Sequence, residues 1–383
     1  MTRKIAIPVV DRANFGRLLP VMQAIQEHPD LEMQVIASGT TLLDRFGRTE
    51  KQIIEAGFNI DSRVYVELEG GRPVTMAKSL GFCVIEAATA LNNLQPDVVL
   101  LIGDRYEALG FAMAAAYQNI PLAHIQGGEI SGSIDESARH AISKFAQYHF
   151  PSTDQAARIL LQLGERPDTV FNYGCPVGDL ILRMDPSLPE DAFSSGVGAP
   201  IDASDEYALV IFHPVTTSYE NQESECLNLL HAMQEIQMPT IWLWPNIDAG
   251  GDTISRVLRS YRESDHENRW LRMVKGFNPS LYQKVLFNAS IAIGNSSSFL
   301  RDTSFMGTPV VLVGDRQQTR EHAQNVIRTS ARKLDIKAAV EIQRTHGRYP
   351  ISQLYGDGTA GPRIAQKLAE MPLYVQKKIC IVN

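Results

Sequence analysis

The sequence has 383 residues and sets 36 lysines and arginines against 43 aspartates and glutamates, for a formal net charge of −7. A chain of this length with 44% hydrophobic and 21% charged residues excludes disorder and exceeds what one core usually organises, so two domains are expected. A pI near 5.8 argues against a nucleic-acid coat, and no apolar run is long enough for a membrane span or a secretory signal. Four cysteines without CxxC spacing indicate neither a disulfide framework nor a zinc site, so the expectation is a cytoplasmic protein without metal or cofactor.

In chain order, Ile5–Val10 is a short β-branched run that predicts a strand, and Leu18–Gln26 has helical spacing. Met33–Ala37 predicts a second strand, ending at Ser38 and Gly39. Val98–Ile102 (VVLLI) is apolar throughout, as a strand buried on both faces should be. Ala108–Gln118 follows as a small-residue helix and Pro121–Ile125 as the next strand. Between Phe171 and Leu188 the rhythm breaks, and a hinge is expected near Gly174, Cys175 and Pro176. Pro189–Asp205, rich in Ser, Pro, Asp and Gly, reads as a surface loop. The pattern then resumes with strands at Ala208–Phe212, Thr240–Trp244, Ile291–Ile293 and Val310–Val313 and a helix at Gln222–Ile236. This alternation predicts an α/β protein of two doubly wound, Rossmann-like domains facing a cleft. The domains are expected at residues 1–172 and 173–365, with a tail, 366–383, packing back on the first.

Open parallel sheets bind ligands beyond the carboxyl ends of their strands. Seven predicted strand ends carry polar or charged groups there. The first strand leads into Asp11–Gly16, VVLLI into Gly103-Asp104-Arg105, and Pro121–Ile125 into Gln126-Gly127-Gly128-Glu129. The later four lead into His213-Pro214, Pro245–Asp248, Gly294–Ser298 and Gly314-Asp315-Arg316. A Gly-Asn-Ser-Ser-Ser loop opening a helix suits a phosphate, although an N-cap serine run reads the same way. Neither a P-loop nor a GxGxxG turn is present, which disfavours a nicotinamide enzyme. Arg12, Arg105 and Arg316 follow three strands; singly each reads as a surface ion pair, together they favour an anionic ligand such as a diphosphate. His213 is a binding or acid/base candidate, whereas His124 and His140 read as packed or structural. Asp104, Glu129, Asp135 and Glu136 cluster in the first half, and Asp135 and Arg139 share a helix face on which they can pair. Carboxylates grouped in a desolvated cleft have their pKa values pushed apart, which suits proton transfer. No histidine cluster with ligand spacing supports metal catalysis.

The ordered set DRANFGRLLP, GDRYEAL, HIQGGEISGSIDESARHAISK, FHPVTT, PNIDAG, GNSSSFLRD, GDRQQTRE and YGDGTAGPRI resembles the hydrolysing UDP-N-acetylglucosamine 2-epimerases of sialic-acid biosynthesis. It is similar also to the epimerase half of the bifunctional animal epimerase/kinase, and the resemblance runs from near Ile5 to near Leu368. It implies a GT-B fold, no cofactor, and conversion of UDP-GlcNAc and water into UDP and N-acetylmannosamine. The implied route is anti elimination of UDP across C1–C2 to a 2-acetamidoglucal, then hydration with inversion at C2. By position, Arg12, His213, Ser296, Ser297 and Arg316 are implied to hold the diphosphate, Asn246 to lie in the nucleotide cleft and Asp302 to contact the ribose. Asp104, Asp135 and Arg139 fall on catalytic positions, with Arg105 and Glu129 beside them and His213 as phosphate partner or leaving-group acid. A homodimer or homotetramer is also implied.

Three residues depart from the pattern. Gln126 stands where many relatives have a catalytic glutamate, so another carboxylate takes the proton or Gln126 only orients the substrate. Asp302 is one methylene shorter than the usual glutamate, and Gly16 replaces a serine of the animal enzyme. A hydrolysing epimerase of UDP-2,4-diacetamido-2,4,6-trideoxyglucose, from legionaminic-acid synthesis, shares the HIxGGEISG motif and is the nearest alternative. A non-hydrolysing epimerase would carry HVEAGLR-like sequence instead. A GT-B glycosyltransferase or an inactive nucleotide-sugar binder is the alternative from another class.

Overall fold

The structure is a computed structural model that describes residues 2–44, 47–69, 72–215, 220–245, 248, 250–264 and 269–380. Strands β1 (Arg3–Val9), β2 (Leu31–Ser38), β3 (Ser62–Val64), β4 (Val98–Ile102), β5 (Leu122–Ile125) and β6 (Tyr148–Phe150) form one parallel sheet in the order β3-β2-β1-β4-β5-β6. A second sheet holds β7 (Val197–Gly198), β8 (Ala208–Ile211), β9 (Thr240–Leu243), β10 (Leu271–Val274), β11 (Ile291–Gly294), β12 (Val310–Val313) and β13 (Val326–Thr329). Its order is β13-β12-β11-β8-β9-β10-β7, parallel except for the β7 edge. Apart from that edge the two sheets have the same winding. Each begins in the middle, lays three strands to one side, then returns and lays three to the other. The order reverses between β1 and β4 in one sheet and between β8 and β11 in the other, the crevices where doubly wound sheets bind ligands.

Alternation along the strands explains the layers. Ile5, Ile7 and Val9 of β1 face Phe15, Leu18, Met22 and Ile25 of helix α1 (Arg12–Glu27). Ala6 and Val10 face the other way, among residues of α3 (Pro73–Leu94) and α4 (Tyr106–Tyr117). β8 repeats this, with Leu209 and Ile211 on one side and Ala208 and Val210 on the other. Truncating a fully buried residue such as Ile7 to Ala would cost about 2–5 kcal/mol. Helix α1 begins where Asp11 accepts the Asn14 amide at 2.6 Å, a side-chain cap that fixes Arg12 and the turn beyond it at the cleft.

Helix α3 bears on the expected absence of a membrane span without overturning it. Its composition and 22 residues make it, among the described residues, the one helix long and apolar enough to cross a membrane. Cys83, Ala87 and Leu91 pack inward, and the Cys83 sulfur lies so near Gly110 of α4 that a Cβ there would come within 2.7 Å of it. Val74, Phe82 and Ile85 on α3 are exposed.

The short strands β3, β6, β7, β10 and β13 are additional to the expected ones. Each has two to four residues, and β3, β10 and β13 carry an arginine that breaks the apolar run. Helix α13 (Ala360–Glu370) lies against α1, with Ala360, Ile364, Ala365 and Leu368 in the first core. The expected division at residues 365 and 366 therefore falls inside this helix, because Asp179 caps it from Ala360 and Gly361 onward and turns it toward the first sheet. The tail beyond it stays there: Tyr148 donates to the Pro372 carbonyl, and the Cys380 amide to Gly164 at 2.9 Å. The chain thus passes between the sheets twice, and the crossings touch, the Cys175 amide donating to the Tyr355 carbonyl at 2.7 Å.

Candidate active site in the interdomain cleft

The carboxyl edges of the two sheets face one cleft, whose cavity measures about 200 Å3. Arg12, Gly16, Asp104, Arg105, Asp135, Arg139, His213, Ser296, Ser297, Asp302 and Arg316 all line it. Gln126 and Glu129 stand behind its wall, and Asn246 lies outside the described residues.

On the first-domain side, Arg139 of α5 (Asp135–Phe145) makes a close ion pair with Asp104, and Arg320 stands 3.8 Å from the same carboxylate. Burial alone would raise Asp104, but Arg139, Arg320 and Arg17 outweigh it and hold the carboxyl far below its usual range. Asp135 behaves oppositely. Burial and the neighbouring Asp104 push its carboxyl up, with Arg316 as a partial offset. The anticipated Asp135–Arg139 pair is not formed: Arg139 turns inward to Asp104 and the Glu129 carbonyl, while Asp135 accepts from Arg316 at 3.3 Å and Ser133 at 2.9 Å. A position on the first helical turn lets Asp135 reach across the cleft, and the fully buried Arg139 needs the carboxylate beneath it. His124 supports this arrangement from below. Its Nε2 meets the Gly103 carbonyl at 2.7 Å and its Nδ1 the Ser143 hydroxyl at 3.0 Å, and burial lowers it to about 3, so it is a neutral prop under the Asp104 loop. His140 is partly exposed on α5, 4.0 Å from Glu136.

Gln126 has φ +65°, in the left-handed region, and is fully buried. Its amide oxygen accepts from Arg17 at 3.0 Å and its amide nitrogen donates to the Cys175 sulfur at 3.1 Å. Its visible part is to orient Arg17, which does line the cleft. Glu129 receives both Arg301 and Arg320, the latter at 3.3 Å, and these two together with Arg139 lower its carboxyl against the upward push of burial.

The second-domain side is cationic and hydroxyl-rich. Asn295 clamps His213 through two backbone hydrogen bonds of 2.7 and 2.8 Å. Burial, then Arg316, lowers the imidazole to about 3, so it stands neutral in the cleft. The Gly-Asn-Ser-Ser-Ser loop opens only a single helical turn, α11 (Ser298–Arg301), so hydroxyls and amides there count for more than a helix dipole. Ser296 and Tyr282 both bond the Ser298 hydroxyl, at 2.9 and 2.6 Å. Arg12 reaches across from the first domain to the Lys275 carbonyl at 3.1 Å. It does so because residue 276 is glycine, where a Cβ would come within 1.3 Å of the Arg12 guanidinium. Asp302 accepts from Gln283 at 3.0 Å, and burial pushes its carboxyl up to about 6. Arg105 is not a free cation. It is held by Asp248 at close range, Glu107 at 3.0 Å and Asp11 at 3.7 Å, so it ties the domains together where convergence on a diphosphate was expected.

Arg17, Arg301 and Arg320 were not among the expected site residues, although all three line the cleft. Arg301 and Arg320 sit within the GNSSSFLRD and GDRQQTRE segments, close to the serines and Arg316. The one available signal was their charge beside a strand-end motif.

The sequence profile of the UDP-N-acetylglucosamine 2-epimerase family matches residues 23–369. The UDP-N,N'-diacetylbacillosamine 2-epimerase (hydrolyzing) of Legionella pneumophila is 32% identical over 98% of each chain. A UDP-N-acetylglucosamine 2-epimerase of Neisseria meningitidis is 29% identical over 91% of this chain and 89% of its own. Among solved structures, Methanocaldococcus jannaschii UDP-GlcNAc 2-epimerase, crystallised with UDP-GlcNAc and UDP, superposes with a TM-score of 0.80 at 18% identity, over 95% of this chain and 99% of that one. With two doubly wound sheets closed on one cleft and these relatives along nearly its whole length, the chain belongs to the UDP-N-acetylglucosamine 2-epimerase family and has its GT-B fold.

Proposed function

We propose that the protein is a hydrolysing UDP-sugar 2-epimerase whose substrate is UDP-2,4-diacetamido-2,4,6-trideoxyglucose, and not the UDP-GlcNAc that the motifs put first. The observation that carries the activity is the Asp104–Asp135 pair, in which one carboxylate is fixed as an anion and the other is raised toward carrying a proton. Removal and return of the C2 proton need both states. As the C2–H bond gives its electrons to a C1–C2 double bond, the C1–O bond breaks and UDP takes that pair. Arg12, Arg316, Ser296, Ser297 and neutral His213 line the side that meets the departing diphosphate. Water then adds at C1 and a proton returns to C2 on the opposite face. In this reading the ionised Asp104 takes the C2 proton, Asp135, raised toward holding one, returns a proton on the other face, and Asp302 with Gln283 meets the ribose.

The choice of sugar rests on the relatives. The Legionella enzyme named for UDP-N,N'-diacetylbacillosamine, the same 2,4-diacetamido-6-deoxy sugar, and a Campylobacter jejuni enzyme named for its GDP or UDP form are each 32% identical to this chain. UDP-GlcNAc remains the second reading, favoured by the 29% identity to the Neisseria enzyme. Proton NMR in D2O with each nucleotide sugar tests both. Free 2-epimer deuterated at C2, formed faster from the diacetamido sugar, supports the proposal. Faster turnover of UDP-GlcNAc moves the assignment to the second reading, and a UDP-linked epimer from either sugar refutes hydrolysis. The expected homo-oligomer would form on the exposed apolar side of α3, around Val74, Phe82 and Ile85, which light scattering of Phe82→Asp would check.

A further inference from the structure

Asp104, Glu129 and Arg139 belong to the first domain, whereas Arg301 and Arg320 arrive from the second. The first domain alone would bury two carboxylates with one guanidinium, because the ion partners of Glu129 among the described residues are Arg301 and Arg320. In the closed molecule the same two carboxylates pair with three guanidiniums, so closure adds two cations to a cluster that from its own domain has Arg139 in contact and Arg17 farther off. Arg320 is the member that links both carboxylates, 3.3 Å from Glu129 and 3.8 Å from Asp104, with its side chain almost wholly buried. Among the described residues Arg301 is ion-paired with Glu129 alone. Contact between the domains is close here for a further reason. The Gly132 amide donates to the Arg316 carbonyl at 3.0 Å, and a Cβ at Gly132 would lie 2.2 Å from the Asp315 carbonyl oxygen.

We propose that Arg320 is a positioning residue for the reaction, delivered by closure of the cleft into the Asp104–Glu129 pair of the other domain. This rests on the carboxylate roles argued under the proposed function. A cation arriving between the two carboxylates fixes the Asp104 side chain against Arg139 and keeps it ionised. The charged groups around Asp104 are then Arg139 and Asp135 on α5, Arg17 on α1 and Arg320 after β12, with neutral His124 beneath on β5. Reaction is thereby tied to the closed state, since an open cleft has no Arg320 at Asp104.

The test compares Arg320→Gln and Arg320→Lys with the wild-type protein. Either change leaves Glu129 its Arg301 and Asp104 its Arg139, so both variants keep paired carboxylates. In Arg320→Gln, kcat should fall by about tenfold or more with UDP affinity held. The acid limb of its kcat/KM profile should move to higher pH, because removing a cation makes the coupled carboxylates easier to protonate. Arg320→Lys should return the limb toward its wild-type place. An unmoved limb, a UDP affinity that falls in step with rate, or a lysine variant no better than glutamine would each overturn the proposal. Hydrogen exchange of residues 128–139 with and without UDP provides a readout that needs no turnover. UDP-dependent protection in the wild type that Arg320→Gln loses supports the positioning role, and equal protection in both overturns it. Wild-type protein that turns over neither sugar refutes the proposed function instead, and the exchange measurement still decides the role of Arg320.

Discussion

The two domains share a winding and differ in what they hang on it. The first presents carboxylates at its reversal point and the loops beside it: Asp11, Asp104, Glu107, Glu129 and Asp135. The second presents an imidazole, hydroxyls and guanidiniums: His213, Ser296, Ser297, Arg301, Arg316 and Arg320. In the proposed function one scaffold serves once to move protons and once to hold an anion. The lesson is that function here sits in loop chemistry, which the strand order positions but does not choose. Each half is also unfinished alone. Buried carboxylates on one side are neutralised by arginines from the other, and breaking such a pair by removing one partner costs several kcal/mol, about 3–5.

The sharpest break of this comparison is on the proton side. Asp135→Asn and Asp104→Asn should each lower kcat by ~100-fold or more while leaving UDP affinity nearly intact, as measured by single-turnover kinetics and calorimetry. The mirror experiment removes a group from the anion side. Arg316→Ala should weaken UDP by roughly tenfold or more, the loss of a charge-assisted hydrogen bond, and unchanged affinity would take Arg316 out of the diphosphate site. Gly132→Ala tests the seam between the halves. A methyl facing the Asp315 carbonyl forces the loops apart, so kcat should drop by about an order of magnitude while each domain keeps its fold by circular dichroism.

A smaller effect is expected away from the cleft, where the tail is held. Glu165 accepts from His149 at 3.0 Å and Lys144 at 2.8 Å and pairs with Lys377. Against the upward push of burial, these partners lower its carboxyl from 4.5 to about 2. A lowered folded value contributes stability that is full above the unfolded value and lost as pH falls through the folded one. Wild-type Tm should therefore fall between about pH 4.5 and pH 2 more steeply than that of Glu165→Gln. Gln126→Glu should have the least effect on rate. It exchanges a neutral bond to Arg17 for an ion pair behind the cleft wall and loses the donation to Cys175. A rate gain measured by NMR would show instead that a carboxylate at this place reaches the substrate.

Strands that are unbroken apolar runs, such as Val98–Ile102 and Val310–Val313, were legible because burial on both faces leaves no polar position to confuse the pattern. β3 and β10, each interrupted by an arginine, were not. The site was legible to the extent that it follows strand ends, so Asp104, Asp135, His213 and Arg316 do share one cleft. Their partners were not legible. Spacing pairs Asp135 with Arg139, but spacing knows only the helix surface, and the structure offers each a better counter-charge from outside that helix. Likewise Arg301 and Arg320 owe their places to contacts between domains and Arg17 to Gln126 on a distant loop of its own domain, none of which a local pattern encodes.

The two crossings of the chain have a mechanical consequence. Gly174, at φ +85°, and Gly356, at φ +108°, lie back to back, a Cβ on the first falling 2.7 Å from the Cα of the second. The segment leaving one domain and the segment coming home are therefore pinned together like the two leaves of a door hinge. Two crossings held at one point resist twist between the domains more than a single crossing does. With the cleft closing as proposed, that resistance brings the arginines of one face to the same carboxylates of the other each time.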